Sequence, residues 1–186
     1  MTAHEAIQAR RSIKKFTADI PTREQVETLL ALAVLAPNNR MTQPWRFLVL
    51  GPEARAAYGT ALGIRKSRKI EDPAVAQATR DRTLADAVGA PLMIAIVQSL
   101  HENPEIREED FAACWMGVEN LLVAATTLGL GTHLRSGAVF GDAPVREAWG
   151  VGEGERVLGV VLLGTPEAVP EPKPRVPAGE RTRWLD

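Results

Sequence analysis

The sequence is poor in cysteine, which limits both its covalent structure and its chemistry. Cys114 is the only cysteine among 186 residues, so an intramolecular disulfide is excluded and a reducing, cytoplasmic environment is expected. Cys114 lies in an apolar stretch, FAACWMGVENLLVAA, where a cysteine more often fills a core position than acts as a nucleophile. We therefore expect no thiol chemistry.

Metal-ligand and catalytic motifs are also missing. His4, His101 and His133 stand far apart, and none has a carboxylate or thiol partner at metal-ligand spacing. The sequence contains no GxSxG, no Walker loop and no GxGxxG motif. If the protein is an enzyme, we expect a bound organic cofactor to carry the chemistry.

Long apolar runs are absent as well. No run reaches the length of a membrane span, and the N-terminal MTAHEAIQAR is amphipathic and charged, so neither a membrane helix nor a secretory signal is expected. We predict one domain over residues 1–165 and a proline-rich arm of that domain over 166–186. Five of the 13 prolines lie between Pro166 and Pro177, which favours an extended segment there.

The hydrophobic pattern predicts a mixed α+β fold. The capping boxes at Thr2 and Thr22 begin two helices, the first running to about Arg11 and the second stopped by Pro37. The longest helix, 108–128, is apolar on nearly every face, which predicts that it is buried on all sides or lies at a subunit interface. Three short apolar runs predict strands without strict βα alternation: WRFLVL, PLMIAIVQ and ERVLGVVLLG. The segment THLRSG is predicted to form a further short strand.

The segment RRSIKKFT, residues 10–17, concentrates positive charge in a chain whose net charge is only −1. Arginine forks bind phosphate oxygens in a bidentate manner, and the hydroxyl of Ser12 adds another donor. Cations at a helix C-terminus also complement the helix dipole. From the residues alone, both interpretations stay open: an anion-binding cradle, or solvated surface charge.

Four segments, in order, resemble the nitroreductase-like family of FMN-dependent oxidoreductases, especially its small single-domain branch. They are RRSIKKF, APNNRMTQPWRFLVL, the apolar helix ending in GLGTHL, and the closing GTPEAVPEPKPRVP. The resemblance spans Glu5 to Arg175. It implies a three-layer α/β/α fold with a mainly antiparallel sheet, and a homodimer with FMN at the interface and an extended C-terminal arm.

The same resemblance implies an FMN-dependent NAD(P)H oxidoreductase with ping-pong hydride transfer through flavin N5. NADH or NADPH would be the donor, and a nitroaromatic, a quinone or a similar small molecule the acceptor. No membrane or nucleic-acid partner is expected. Because the cofactor carries the chemistry, no catalytic side chain is expected.

The resemblance also assigns residues to the flavin. Arg10, Ser12 and Arg11 would hold the phosphate and ribityl end, joined by Arg175 and, as a weaker candidate, Lys173. Lys14 would approach the N1/O2 edge and stabilise negative charge there. The partner subunit would contribute its PNNRMTQ loop, with Leu35, Asn39 and Gln43 as the candidates for this contribution in trans. Related proteins often have a histidine at the position of Asn39, and asparagine cannot titrate near neutrality. Backbone near the pyrimidine ring would come from Gly131, Thr132, His133, Leu134 and Arg135, with His133 expected to pack rather than catalyse.

Two other functions compete with the oxidoreductase. A flavin carrier or sensor on the same fold would bind FMN without turnover driven by NAD(P)H. A generic polyanion-binding module would use the 10–15 cluster and show a steep salt dependence. The second basic run, IRKSRK at 64–69, is followed at once by acidic residues and has no aromatic platform, which favours a solvated helix face or a lid edge that attracts a nicotinamide phosphate.

Overall fold

A computed structural model describes residues 1–185 and contains a four-stranded antiparallel sheet. Its strand order is β1-β2-β4-β3, with every neighbouring pair antiparallel. The two central strands, β2 and β4, carry the longest buried runs, which the sequence predicts from their continuous apolar character. The strands are β1 Trp45–Val49, β2 Leu92–Ser99, β3 Gly131–Arg135 and β4 Glu155–Gly164.

Within residues 1–185, six α-helices surround the sheet, and their starts follow local capping chemistry. Both predicted capping boxes are present, at Thr2 with Glu5 and at Thr22 with Gln25. Four other helices have proline in their first turn. The helices are α1 Ala3–Ala9, α2 Arg23–Ala33, α3 Pro52–Ser67, α4 Pro73–Val88, α5 Pro104–Thr127 and α6 Ala143–Ala148.

The sheet separates two apolar cores, which gives the predicted three layers. Successive residues of β4 point to opposite faces. Val161 therefore packs in the core formed with α2 and α5, whereas Leu162 packs in the core formed with α3 and α6. The observed α+β architecture, with an antiparallel sheet between two layers of helices, agrees with the predicted fold class.

Helix α5 is not buried on every face within one chain. Leu121 and Val118 are buried in the core, but Met116 is 41% exposed and Ala112 is exposed beside it. On the buried side, Gly117 packs so closely on α2 that a Cβ there would lie 2.9 Å from the carbonyl oxygen of Ala33. The sequence left two alternatives for this helix, burial on all sides or a position at a subunit interface. The exposed residues exclude burial on all sides within the single chain.

The last part of the described chain is extended. Residues 166–177 lie outside every helix and strand and are largely exposed. The arm is attached to the body by backbone hydrogen bonds, from Thr17 N to Thr165 O at 2.9 Å and from Glu167 N to Lys15 O at 3.2 Å. Asp186, the last residue of the predicted arm, lies outside the described residues. Among residues 1–185, no helix is long and apolar enough to span a bilayer.

Candidate flavin and substrate site

The basic segment after α1 lies against the edge strand β3. Helix α1 ends at Ala9 rather than near Arg11, because Arg10 turns to an extended conformation with ψ 130°. Ser12 then forms a parallel bridge with Thr132, and Ile13 N donates to Thr132 O at 2.8 Å. Ile13 is buried so tightly that a Cβ on Gly131 would meet it at 2.6 Å. With Ile13 inward, Ser12 and Lys14 stay exposed.

The segment and the C-terminal arm enclose a cavity of about 630 Å³, here called the arm cavity. It brings together residues separated by some 160 positions in the chain, and they include six of the predicted flavin-binding residues. Its lining is Arg10, Arg11, Ser12, Lys14, Lys15, Glu167, Ala168, Pro170, Glu171, Lys173 and Arg175. Five of the predicted residues in this lining are cationic, against two carboxylates.

The donors of the arm cavity are only partly engaged. Arg10 Nε lies 3.3 Å from Glu119 Oε1 of α5. Arg11 Nη1 donates to the carbonyls of Gln8 and Arg10 at 2.6 and 2.9 Å, while its buried Nε has no hydrogen-bond partner among residues 1–185. A buried unpaired donor amid surplus positive charge fits a phosphate group.

A second cavity, about 920 Å³ in volume, adjoins the first at Lys14 and Lys15 and is here called the basic cavity. The predicted residues His133, Leu134 and Arg135 line it, together with Tyr58 and Lys66 of α3. Thr132, also predicted, is buried beneath the basic segment and lines neither cavity.

His133 occupies an unusual position for a histidine. Its Nδ1 is buried and has no hydrogen-bond partner within the described chain. Burial lowers the pKa of His133, and the nearby cations of Arg135 and Lys14 lower the pKa further. The imidazole is therefore neutral at pH 7 and keeps an unpaired nitrogen. Tyr58 lies close by, and burial raises its pKa despite the opposing effect of Arg135.

The loop 38–43, within the predicted trans contribution, is held in an uncommon conformation. Arg40, Met41 and Gln43 have φ values of 62°, 52° and 46°, in the left-handed region that non-glycine residues rarely adopt. Asn38 Oδ1 accepts from Gln43 N at 2.6 Å. Thr42 Oγ1 donates to Asp110 Oδ1, and Asp110 is only 2% exposed. The contact with Asp110 therefore anchors the loop to helix α5.

A second carboxylate of α5 holds the outer part of the loop. Asn39 Nδ2 donates to Glu109 Oε2 at 2.9 Å, and Arg40 Nε lies 3.5 Å from the same oxygen. The amide of Asn39 is thus already engaged in the single chain. Leu35, Asn39 and Gln43 line neither cavity of their own chain, and Leu35 is 73% exposed.

Asp110, Glu109 and Tyr58 are structural determinants of this region that the sequence pattern does not single out. Asp110 has one visible signal: it is a carboxylate at the start of an otherwise apolar helical run. Its partner Thr42 lies 68 positions away, and nothing local connects the two. Cys114, one turn along α5, is buried as predicted, and burial raises the pKa of its thiol to about 12.

Comparisons with known proteins agree with this architecture. The chain is 33% identical over 190 residues to "Putative NAD(P)H nitroreductase YdjA" of Escherichia coli (strain K12), covering 95% of this chain and 98% of that protein. The structure of a nitroreductase-like family protein from Bacillus cereus superposes with a TM-score of 0.86 at 24% identity, over 100% of this chain and 97% of that one. The FMN and NADPH-dependent nitroreductase NfnB from sphigopyxis sp. strain HMH gives a TM-score of 0.79 at 20% identity, with complete coverage of both chains.

A family model provides a further match that does not depend on any single relative. The model described as the Nitroreductase family matches residues 7–165. That span includes the basic segment, the 38–43 loop, all four strands and α5. With the sequence relative and the shared fold, this match establishes that the chain belongs to the Nitroreductase family.

Proposed function

We propose that the protein is an FMN-dependent NAD(P)H oxidoreductase that reduces a nitroaromatic, a quinone or a similar small acceptor. The observation that carries this proposal is the arm cavity. Arg10, Arg11, Ser12 and Lys14 from one end of the chain line it together with Lys173 and Arg175 from the other. The names of the relatives, which specify NAD(P)H for one and FMN and NADPH for another, support the same activity.

The arm cavity would bind the phosphate of FMN. Arg10 and the unpaired Nε of Arg11 supply charged donors, Ser12 adds a hydroxyl, and Arg175 and Lys173 close the site from the arm. Hydrogen bonds to charged groups contribute about 1.5–3 kcal/mol each. Arg10 would exchange Glu119 for the phosphate, because a dianion is the stronger partner at close range.

Lys14 lines both cavities, which suits a residue placed between the phosphate and the ring. When bound, FMN supplies the reversible two-electron chemistry that this chain's own side chains lack. A fixed ammonium at the N1/O2 edge would stabilise the reduced cofactor's negative charge. The predicted backbone contacts at 131–135 belong to the adjoining strand β3.

The functional unit would be a homodimer. The exposed apolar side of α5, with Ala112 and Met116, suits a subunit interface. Leu35 and Met41, before and within the loop 38–43, are exposed. A contribution to a site of the partner subunit requires such exposure. Residues 166–186 would act as an arm of the single domain. The lone, buried Cys114 fits a reducing cytoplasm as the place of action.

One experiment tests this function in two steps. The apoprotein is titrated with FMN, and the loaded protein is then mixed anaerobically with NADPH and, separately, with NADH while the visible flavin absorption is followed. We expect stoichiometric binding and bleaching by at least one donor. FMN that binds but stays yellow with both donors would indicate a carrier or sensor instead, and failure to bind FMN would refute the proposal.

A further inference from the structure

The lining of the basic cavity is rich in positive charge. Lys14, Lys15, Lys66 and Arg135 line it, and Asp86 is the one carboxylate in its lining. Arg135 comes from β3 and Lys66 from the last turn of α3, so the charges reach the cavity from separate elements. Like charges brought together by the fold raise the local potential and favour an anionic occupant.

The cations of the basic cavity differ from the neighbouring Arg65, whose charge is neutralised by an ion pair. Arg65, next to Lys66, binds Asp142 through a 2.7 Å contact from Nε to Oδ2. Throughout residues 1–185, no ion pair of this kind is present for Lys14, Lys15, Lys66 or Arg135. Within the basic run at 64–69, Lys66 therefore lines the cavity and has no ion pair among the described residues.

The remainder of the lining suits an aromatic body. Tyr58 stacks on Phe140 with ring centroids 5.4 Å apart and an interplanar angle of 8°, and Leu62 and Val139 line the same space. His133 lines the cavity from the strand side, and its buried Nδ1 has no hydrogen-bond partner within the described chain. A volume of about 920 Å³ leaves room for a small aromatic molecule.

We infer that the basic cavity binds the anionic group, carboxylate or phosphate, of the aromatic or nicotinamide substrate that meets the flavin, and that Lys66 is a specificity-determining residue. The inference rests on the proposed function, since the flavin defines where that substrate reacts. The anion could belong to a carboxylated acceptor or to the 2′-phosphate of NADPH. Both present the same chemistry to Lys66 and Arg135.

The first test measures binding without turnover. Benzoate and benzamide share a shape but differ in charge, so their dissociation constants for the FMN-loaded protein are compared by calorimetry in the parent, Lys66→Glu and Lys69→Glu. Lys69 is an exposed residue of the same basic run that lines neither cavity. We expect Lys66→Glu to weaken benzoate about five- to tenfold, to leave benzamide unchanged, and Lys69→Glu to leave both unchanged.

The second test identifies the source of the anion. The value of kcat/KM is measured for 4-nitrobenzoate against nitrobenzene, and for NADPH against NADH, in the same three proteins. If Lys66→Glu lowers kcat/KM selectively for 4-nitrobenzoate, the site binds the acceptor. If it lowers kcat/KM selectively for NADPH, the site binds the phosphate of the donor. Either decrease in kcat/KM should become smaller as the salt concentration is raised, because exposed charges are screened.

The inference would be overturned if Lys66→Glu and Lys69→Glu weakened binding of anionic ligands equally. It would also be overturned if Lys66→Glu weakened binding of no anionic ligand. FMN retention and bleaching by NAD(P)H are recorded first on each preparation. If both are normal while anion selectivity is absent, only the role of the basic cavity fails. If FMN is not retained by the parent protein, the proposed function fails, and this inference fails with it.

Discussion

The basic segment 10–15 and the loop 38–43 differ in how far their polar groups find partners within the chain. The segment presents charges whose partners are few: Lys14 and Lys15 have no ion pair within the described residues, and Arg11 keeps an unpaired Nε. The loop has its polar groups satisfied internally, through Asn38 and the two carboxylates of α5. The first region thus leaves charge unpaired among the described residues, whereas the second is held by contacts within the chain.

This difference predicts how each region fails. Removing a cation from the segment should cost ligand binding and leave the fold intact, because the lost partner is outside the protein. Removing a hydrogen bond from the loop should cost folding stability as well, because a buried group loses its partner.

Arg10→Ala should weaken FMN binding by about 10- to 100-fold, the equivalent of one charged hydrogen bond of about 1.5–3 kcal/mol. The free energy of unfolding of the apoprotein should change little, since the pair with Glu119 is partly exposed. Fluorescence titration with FMN and urea denaturation measure the two quantities. Arg23→Ala, which removes an exposed arginine paired within α2, is the control. Unchanged FMN affinity in Arg10→Ala would exclude the arm cavity as the phosphate site.

Thr42→Val should lower the free energy of unfolding by about 1–3 kcal/mol, because the buried carboxylate of Asp110 loses its donor. FMN affinity should fall by a smaller factor, through loss of the fixed loop conformation. Thr42→Ser keeps the hydroxyl and is the matched control. If valine and serine behave alike, Asp110 does not hold the loop.

Lys14→Met should lower the two-electron reduction potential of bound FMN on the order of 30 mV, which corresponds to about 1.4 kcal/mol. The physical reason is the loss of a positive charge beside the N1/O2 edge. Lys69→Met, outside both cavities, controls for net charge. An equal potential in the parent and in Lys14→Met would place the ammonium away from the ring.

His133 should produce the smallest effect, a pH dependence of stability. Its pKa is lowered in the folded protein, so the unfolded chain binds more protons once the pH falls below the ordinary value of about 6.5. The free energy of unfolding should therefore decline from about pH 6.5 downward until the folded-state pKa is passed. Urea denaturation of the parent and of His133→Gln between pH 8 and 5 measures the difference; parallel curves would contradict the assignment.

Local patterns in the sequence predicted most of the fold. The capping boxes at Thr2 and Thr22 and the four predicted strand segments correspond to observed elements. The long helix begins at Pro104, earlier than the predicted start at 108. The first helix ends at Ala9, two residues before the predicted end. The cause is tertiary: the chain leaves the helix early so that Ser12 and Ile13 can pair with β3.

The site was predictable only where a motif marks it. The basic segment and the arm are recognisable by composition, and they do meet around one cavity. The role of Asp110 was not predictable, because its contact with Thr42 depends on how α5 packs beneath the loop. The position of Lys66 beside Lys14 has the same origin, since only the packing of α3 brings it to that cavity. The binding roles assigned to these residues stay predictions until flavin titrations test them.

The exposed end of the arm gives the protein a built-in optical probe. Trp184 is 89% exposed, whereas Trp149 is 5% exposed and Trp45 and Trp115 are partly buried against the core. A soluble quencher such as iodide should therefore act mainly on the emission of Trp184. If the arm packs on a second subunit, that emission should shift to shorter wavelength and resist quenching as the protein concentration rises, which would report assembly without any added label.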